Sequence, residues 1–379
     1  MKKIQTILLA LVCMSAFLPA CGTSGEQTSE SDTMDIINMK IDTMTMVNLF
    51  DLDPLMKKGV SAAYAGVIGD ELFFAGGCNF PYKPNLEYGE KVYYKNLYKA
   101  RIDSSANLVW EKIGELPKAC GYGITIASGD SILIIGGCDV EGSLNSVWRI
   151  YADGSLKVLS PLPVAIDNMA GAMLDNKIYV VGGNADGKPS NRAFALDIST
   201  NDAQWEELPA MPGNPRVQPV CAAASGKIYV FGGFAGPQGD VPASMSVSGL
   251  CYDPATKAWA EAATPTDAKG ESVSLGGGAA VAIGDKIVCA GGVNKDIFLE
   301  ALNGKFERPF YLTQEPSWYK FNRNILVYDT ASNTWEVAAK AENGARAGAA
   351  MVAHGKTVLF INGELMPGIR TPMVSRFAF

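Results

Sequence analysis

Ile178-Tyr-Val-Val-Gly-Gly183 and Ile228-Tyr-Val-Phe-Gly-Gly233 are two copies of one phrase, an apolar β-rich run ending in a glycine doublet. Four more copies flank them: Leu72-Phe-Phe-Ala-Gly-Gly77, Ile132-Leu-Ile-Ile-Gly-Gly137, Ile287-Val-Cys-Ala-Gly-Gly292 and Val358-Leu-Phe-Ile-Asn-Gly363, at intervals of 46 to 71 residues. Each run follows a tight-turn signal, Gly69-Asp70, Gly129-Asp130, Asp175-Asn176, Gly226-Lys227, Gly284-Asp285 or Gly355-Lys356, which makes it the second strand of a hairpin. Downstream lie an aromatic strand (Phe194 to Asp197, Leu250 to Asp253, Leu326 to Asp329) and a tryptophan strand (Trp110, Trp205, Trp259, Trp335). Leu116-Pro117, Leu162-Pro163 and Leu208-Pro209 close units with a turn proline.

Four strands per unit, a glycine pair after the second and a tryptophan in the fourth resemble the kelch repeat, whose units are propeller blades. The resemblance covers nearly all of residues 39–379 and implies an all-β, six-bladed kelch-type β-propeller with four-stranded antiparallel blades. The sixth unit stops early, with Ser375-Arg-Phe-Ala-Phe379 as its third strand. Met39 to Val47 alternates apolar and polar residues with period two, so this N-terminal strand is expected to complete the last blade and remove two exposed sheet edges.

The 48% hydrophobic content of this 379-residue chain suffices for a large core. A single histidine, His354, cannot build a multi-histidine metal site, and a net charge of -7 without a basic cluster gives no footprint for nucleic acid. Small molecules or proteins remain as partners. At the N-terminus Lys2 and Lys3 precede an apolar run, Ile7 to Leu18, shorter than the roughly 18 residues of a membrane span. The run ends in Leu18-Pro19-Ala20-Cys21, which resembles a bacterial lipobox. The expected organisation is a lipoprotein signal peptide at 1–20, lipidation of Cys21, a flexible polar tether at 21–38 and the propeller at 39–379, in an exported protein touching the membrane through its lipid anchor alone, periplasmic or at the cell surface. Cys78, Cys120, Cys138, Cys221, Cys251 and Cys289 lack C-x-x-C spacing and read as buried thiols.

Strand order assigns the turns between first and second strands, with His354 among them, to one face, and the loops after the doublets to the other. The residue after the doublet is Cys78, Cys138, Asn184, Phe234 or Val293 in five units and Glu364 in the sixth, with Arg370 six residues later. A carboxylate facing a partly dehydrated channel suits proton transfer, and a guanidinium suits a carboxylate ligand. A solvated loop ion pair is the other reading of the same two residues. Two long loops share this face: Cys78 to Asn96, with Tyr82, Tyr88, Tyr93 and Tyr94, and Val293 to Asn322, with Phe298, Tyr311, Trp318 and Tyr319. Their aromatics either stack on a sugar ring or pack the loops, and packing is the expected role. Arg216, Arg346, Asn168 and Tyr122 lie near the starts of first strands.

Within the kelch proteins, Ile361-Asn-Gly-Glu-Leu-Met-Pro-Gly-Ile-Arg-Thr371, Gly291-Gly-Val-Asn-Lys-Asp-Ile-Phe298, Tyr229-Val-Phe-Gly-Gly233 and Ser131-Ile-Leu-Ile-Ile-Gly-Gly137 resemble the N-acetylneuraminate epimerases, or sialic acid mutarotases. The resemblance implies Glu364 as proton acceptor and Arg370 as substrate ligand, with Asn294 and Arg216 lining the site. It also implies a rotated order: the segment from about Pro163 onward resembles the family's first half and Val60 to about Ile150 its last, as in a cyclically permuted branch. The implied reaction interconverts the α and β anomers of sialic acid by acid-base ring opening and closure, with no metal or other cofactor. A non-catalytic kelch module binding a glycan or protein, and a mutarotase for another sugar acid, are the alternatives.

Overall fold

The computed structural model describes residues 39–200 and 202–379. The expected signal peptide, Cys21 and the tether lie outside the described residues. What is described is mostly β, gathered in many small antiparallel sheets. In one of them Ala170–Leu174, Lys177–Val181, Ala193–Asp197 and Glu206–Leu208 pair in sequence order. The same meander recurs from Ile124–Ser128 to Leu156–Val158, from Val220–Ala224 to Ala258–Ala262 and from Gly278–Ile283 to Thr334–Lys340.

The apolar runs are the second strands, and their lack of alternation has a packing cause: all of Ser131–Ile135 is buried, because neighbouring sheets cover both faces. Each doublet then bends the chain toward the next sheet. Gly182 has φ +68°, and a Cβ there would lie 2.4 Å from the carbonyl oxygen of Arg216. In the sixth copy Asn362 takes the left-handed conformation at φ 57°, which Asn tolerates, and Gly363 follows at φ +105°. The second glycine's N–H donates to the following sheet's first segment, as in Gly183 to Arg216 O (2.8 Å) and Gly363 to Val60 O (2.9 Å). The fourth-strand tryptophans tie in the opposite direction: the Nε1 groups of Trp205, Trp259 and Trp335 donate to Ser160, Pro209 and Ala263 carbonyls at 2.7–3.0 Å.

Lys40–Val47 lies antiparallel to Val374–Ala378, with Lys40 opposite Ala378 and Met44 opposite Val374. It thereby becomes the fourth strand after Ala350–His354, Thr357–Ile361 and Val374–Ala378, as its period-two pattern led us to expect. Its far end does something the pattern did not announce: Thr45 to Val47 pair in parallel with Asn107 to Val109. One strand thus joins the first and last meanders into a single nine-stranded sheet and leaves neither edge open there.

Where the first strands begin, six backbone hydrogen bonds of 2.6–3.1 Å close a ring. Ala62 N–H donates to Gly348 O, Gly348 to Gly277, Gly277 to Gln218, Gln218 to Asn168, Asn168 to Tyr122, and Tyr122 back to Ala62. All six residues have positive φ, between 50° and 74°. Four of them carry side chains in a conformation that costs about 1–2 kcal/mol each, so the ring is held by the packing of the sheets around it.

Candidate active site

The ring lies at the end of the molecule that carries the doublets, and a cavity of about 410 Å³ opens over it. Tyr122, Asn168 and Gln218 reach it from the ring, and the post-doublet residues Cys138, Asn184 and Phe234 from the loops. Lys91 and Tyr93 overhang it from the loop 78–96. Its amides are pre-set by the buried Asp167, whose Oδ1 accepts from Asn168 Nδ2 (2.5 Å) and Asn184 Nδ2 (2.8 Å) and whose Oδ2 accepts from the Ser143 hydroxyl. Gln218 Nε2 extends the chain to Asn168 Oδ1 at 2.6 Å.

Glu364 belongs to the same mouth. Like Cys138 and Phe234, it forms a bridge to the residue just before a ring position, here Ala347. The six-residue spacing to Arg370 is a hairpin: Glu364–Met366 pairs with Ile369–Arg370 across a turn with Gly368 at φ 85°, and Glu364 stands opposite Arg370. Cross-strand partners share a face, so the carboxylate Oε1 meets Nη2 at 2.5 Å. The two side chains differ in access, 23% exposed for Glu364 against 3% for Arg370. The Arg370 guanidinium lies 4.8 Å from the Phe80 ring centroid and its Nε donates to Ser61 Oγ at 3.2 Å. Burial raises Glu364 above the usual carboxylate value, opposed by the charges of Arg370 and Lys91 and by the Gly368 N–H. Burial is the largest single influence on Arg370 and works to lower it, but Glu364, Tyr122 and Cys78 together carry the net direction upward. Tyr122, raised by burial and by the charges of Cys78 and Glu364, stands between this pair and the cavity, within 3.6 Å of Cys78 Sγ and 3.5 Å of Lys91 Nζ. The arrangement sets a carboxylate whose proton affinity is raised by burial beside a polar, aromatic-walled cavity.

The other expected site residues make contacts of their own. Arg216 is 3% exposed, and its Nη atoms donate to Gly232 O (3.1 Å), Ser248 O (2.8 Å) and Ser248 Oγ (2.9 Å). These three contacts make it a clamp on the loop 232–248, while its Nε has no hydrogen-bond partner. Arg346 is the same device, donating to Asn362, Met373 and Phe360 carbonyls and Ser375 Oγ. Asn294 caps the helix Lys295–Leu302, its Oδ1 accepting from the Asp296 and Ile297 N–H groups at 3.1 Å, so its carbonyl too is structural. His354 pairs with Asp70 at 3.0 Å, in the hairpin turns at the other end of the strands. The aromatics of 293–322 pack on one another, with Trp318 against Phe306, Phe310, Tyr311 and Tyr319. Tyr82 and Tyr88 remain 75% and 80% exposed, and Arg308 ties the two long loops by donating to Asn85 O at 2.5 Å. Lys91, Asp167 and Ser61 were not singled out by the sequence. Only the length of the loop 78–96 pointed toward the first, and nothing periodic marked the others.

Ring and site together define a β-sheet protein that presents a carboxylate–guanidinium pair beside a cavity suited to a polar small molecule. The chain belongs to the N-acetylneuraminate epimerase family, whose model matches residues 23–158 and 159–379. The N-acetylneuraminate epimerase of Haemophilus influenzae strain PittEE is 31% identical over 226 residues, 55% of this chain and 56% of its own length. That of Yersinia enterocolitica serotype O:8 is 33% identical over 225 residues, 56% of this chain and 55% of its own. The alignments thus span little more than half of these relatives. The solved structure of YjhT shares 28% identity and superposes with a TM-score of 0.49, covering 57% of this chain and 64% of its own.

Proposed function

We propose that the protein interconverts the α and β anomers of N-acetylneuraminate, on a six-bladed kelch propeller whose blades are the meanders and whose channel mouth is the ring. The closed hydrogen-bond ring and the repeated meander support six blades. The family match in two segments, and alignments to relatives over about half the chain, support the rotated blade order. A closed ring accepts such a rotation because inter-blade contacts are preserved and only the seam moves, here to the strand Lys40–Val47.

The observation that carries the activity is the Glu364–Arg370 hairpin beside the cavity. In the reaction Glu364 removes the proton of the anomeric hydroxyl, the bond from the anomeric carbon to the ring oxygen breaks, and the ring oxygen is protonated. After rotation of the exposed ketone the same proton transfers run in reverse. Arg370 keeps the carboxylate oriented and ionised against the burial that raises it. The test is an NMR time course on freshly released α-N-acetylneuraminate with and without the protein. Relaxation to the β anomer faster than in buffer supports the reading, and equal rates overturn it.

The same proposal places the chain outside the cytoplasm as a lipoprotein, with 1–20 as signal peptide, Cys21 lipidated and 39–379 as propeller. Lys2, Lys3, the apolar run and Ala20-Cys21 support it. Palmitate labelling that persists in Cys21→Ser would overturn it.

A further inference from the structure

Among the residues lining the 410 Å³ cavity, Lys91 is the one charged side chain. The rest of the wall is four carboxamides, Asn168, Asn184, Gln218 and Gln238, the rings of Tyr93, Tyr122 and Phe234, and small or apolar residues. Such a wall offers hydrogen bonds to hydroxyl and acetamido groups and a flat face to a sugar ring, with a single place for a negative charge.

The two cations near the mouth are in different states. Arg370 is nearly sealed, faces Glu364 at 2.5 Å, lies against Phe80 and donates to Ser61. Its Nη2 and Nε are taken by Glu364 and Ser61 and its remaining Nη1 is buried, so it offers a substrate carboxylate no open donor. Lys91 makes no ion pair among the described residues. Its Nζ lies 5.1 Å from the Tyr122 ring centroid, 6.0 Å from that of Tyr93 and 3.5 Å from the Tyr122 hydroxyl. Aromatic faces and a neutral hydroxyl hold an ammonium in place without cancelling its charge. The position is also fixed: the adjoining Val92–Tyr93 pairs with Cys78 and Asn79, Asn79 Nδ2 donates to Leu55 and Gly59 carbonyls at 2.9 Å, and Tyr94 donates to Asn79 Oδ1 at 2.7 Å.

We infer that Lys91 is the residue that recognises the carboxylate of a monoanionic sugar acid, and that Arg370 is a positioning residue for Glu364. The inference rests on the proposed sugar-acid anomerisation and assigns its substrate recognition. Bound this way, the carboxylate lies on Nζ, hydroxyl and acetamido groups meet the amides held by Asp167, and the anomeric centre is presented on the side of Tyr122 and Glu364.

The test compares N-acetylneuraminate with its neutral methyl ester, by titration calorimetry and NMR anomerisation, on the full chain and on Lys91→Met and Lys91→Arg. Methionine keeps an apolar stem against the tyrosines and removes the charge, and melting temperature checks that the fold is retained. The parent is expected to bind the acid at least tenfold more tightly than the ester. Lys91→Met should lose that preference, with a KM for the acid raised at least tenfold and a much smaller change for the ester, and Lys91→Arg should restore most of it. A Lys91→Met protein that keeps the preference returns the role to Arg370 and overturns the inference while anomerisation stands. A parent that prefers neither ligand yet accelerates anomerisation overturns it also. A parent that neither binds the acid nor accelerates its anomerisation removes the proposed function, and this inference with it.

Discussion

Arg346 and Arg370 stand 24 residues apart in the same sheet region, both buried, and they answer their burial in opposite ways. Arg346 turns into four acceptors of the backbone and Ser375, and burial alone pulls its guanidinium down to about 9. Arg216 repeats the arrangement two meanders earlier and is pulled down to about 10. Arg370 instead faces a carboxylate and moves upward; each of the three guanidiniums keeps one buried nitrogen without a hydrogen-bond partner, Nε in Arg346 and Arg216 and Nη1 in Arg370. A guanidinium tied to carbonyls fixes a loop. One tied to a partly exposed glutamate fixes a carboxylate, which in the proposed reaction is the base. The lesson is that burial and residue type do not separate these arginines, whereas the acceptor does.

The contrast breaks most visibly at Glu364. Glu364→Gln keeps size and most hydrogen bonding but cannot accept and return a proton, so anomerisation should fall by about 10² to 10⁴-fold with N-acetylneuraminate binding retained. A loss of binding and of melting temperature in place of a selective rate loss would make the pair a structural salt bridge. Next in size are the clamps. Arg346→Met leaves four acceptors without their donor and should destabilise the fold by about 3 kcal/mol or more in chemical denaturation, with Arg216→Met, which frees three contacts, at about 2 kcal/mol. If either variant keeps parental stability but loses the sugar, the clamp assignment is wrong. Arg370→Lys sharpens the comparison: a point charge cannot hold Glu364 and Ser61 together, and kcat is expected to drop about tenfold at near-parental stability. His354→Ala removes a half-exposed contact to Asp70 at the far end, and should change stability by less than about 0.5 kcal/mol and leave turnover unaltered.

What could be read from the sequence follows from what is local. The glycine doublets, their hairpins and the Glu364–Arg370 spacing are short-range patterns, and the period of Met39 to Val47 identified a strand in need of an edge. The parallel pairing of that strand with Asn107–Glu115 joins segments some sixty residues apart and is written in neither one's periodicity. Arg216 could not be oriented from the sequence for a related reason. It lies in a segment without strand or helix, where alternation no longer tells inward from outward, so its direction was settled by the carbonyls of 232 and 248. Lys91 hid in a long loop whose fold depends on Asn79 and Tyr94.

The central claim is that Glu364 is the base, with its proton affinity set by burial against Arg370 and Lys91. The carboxylate is the active form, so kcat/KM should rise with pH through the folded value of Glu364, which lies above the ordinary 4.5. The measurement is the pH dependence of enzyme-catalysed anomerisation of N-acetylneuraminate, corrected for the spontaneous rate, for the parent and Glu364→Gln. The account expects an acidic limb with its midpoint above 4.5 in the parent and its loss, together with most of the rate, in the variant. An acidic limb that persists unchanged in Glu364→Gln at the parental rate would contradict it.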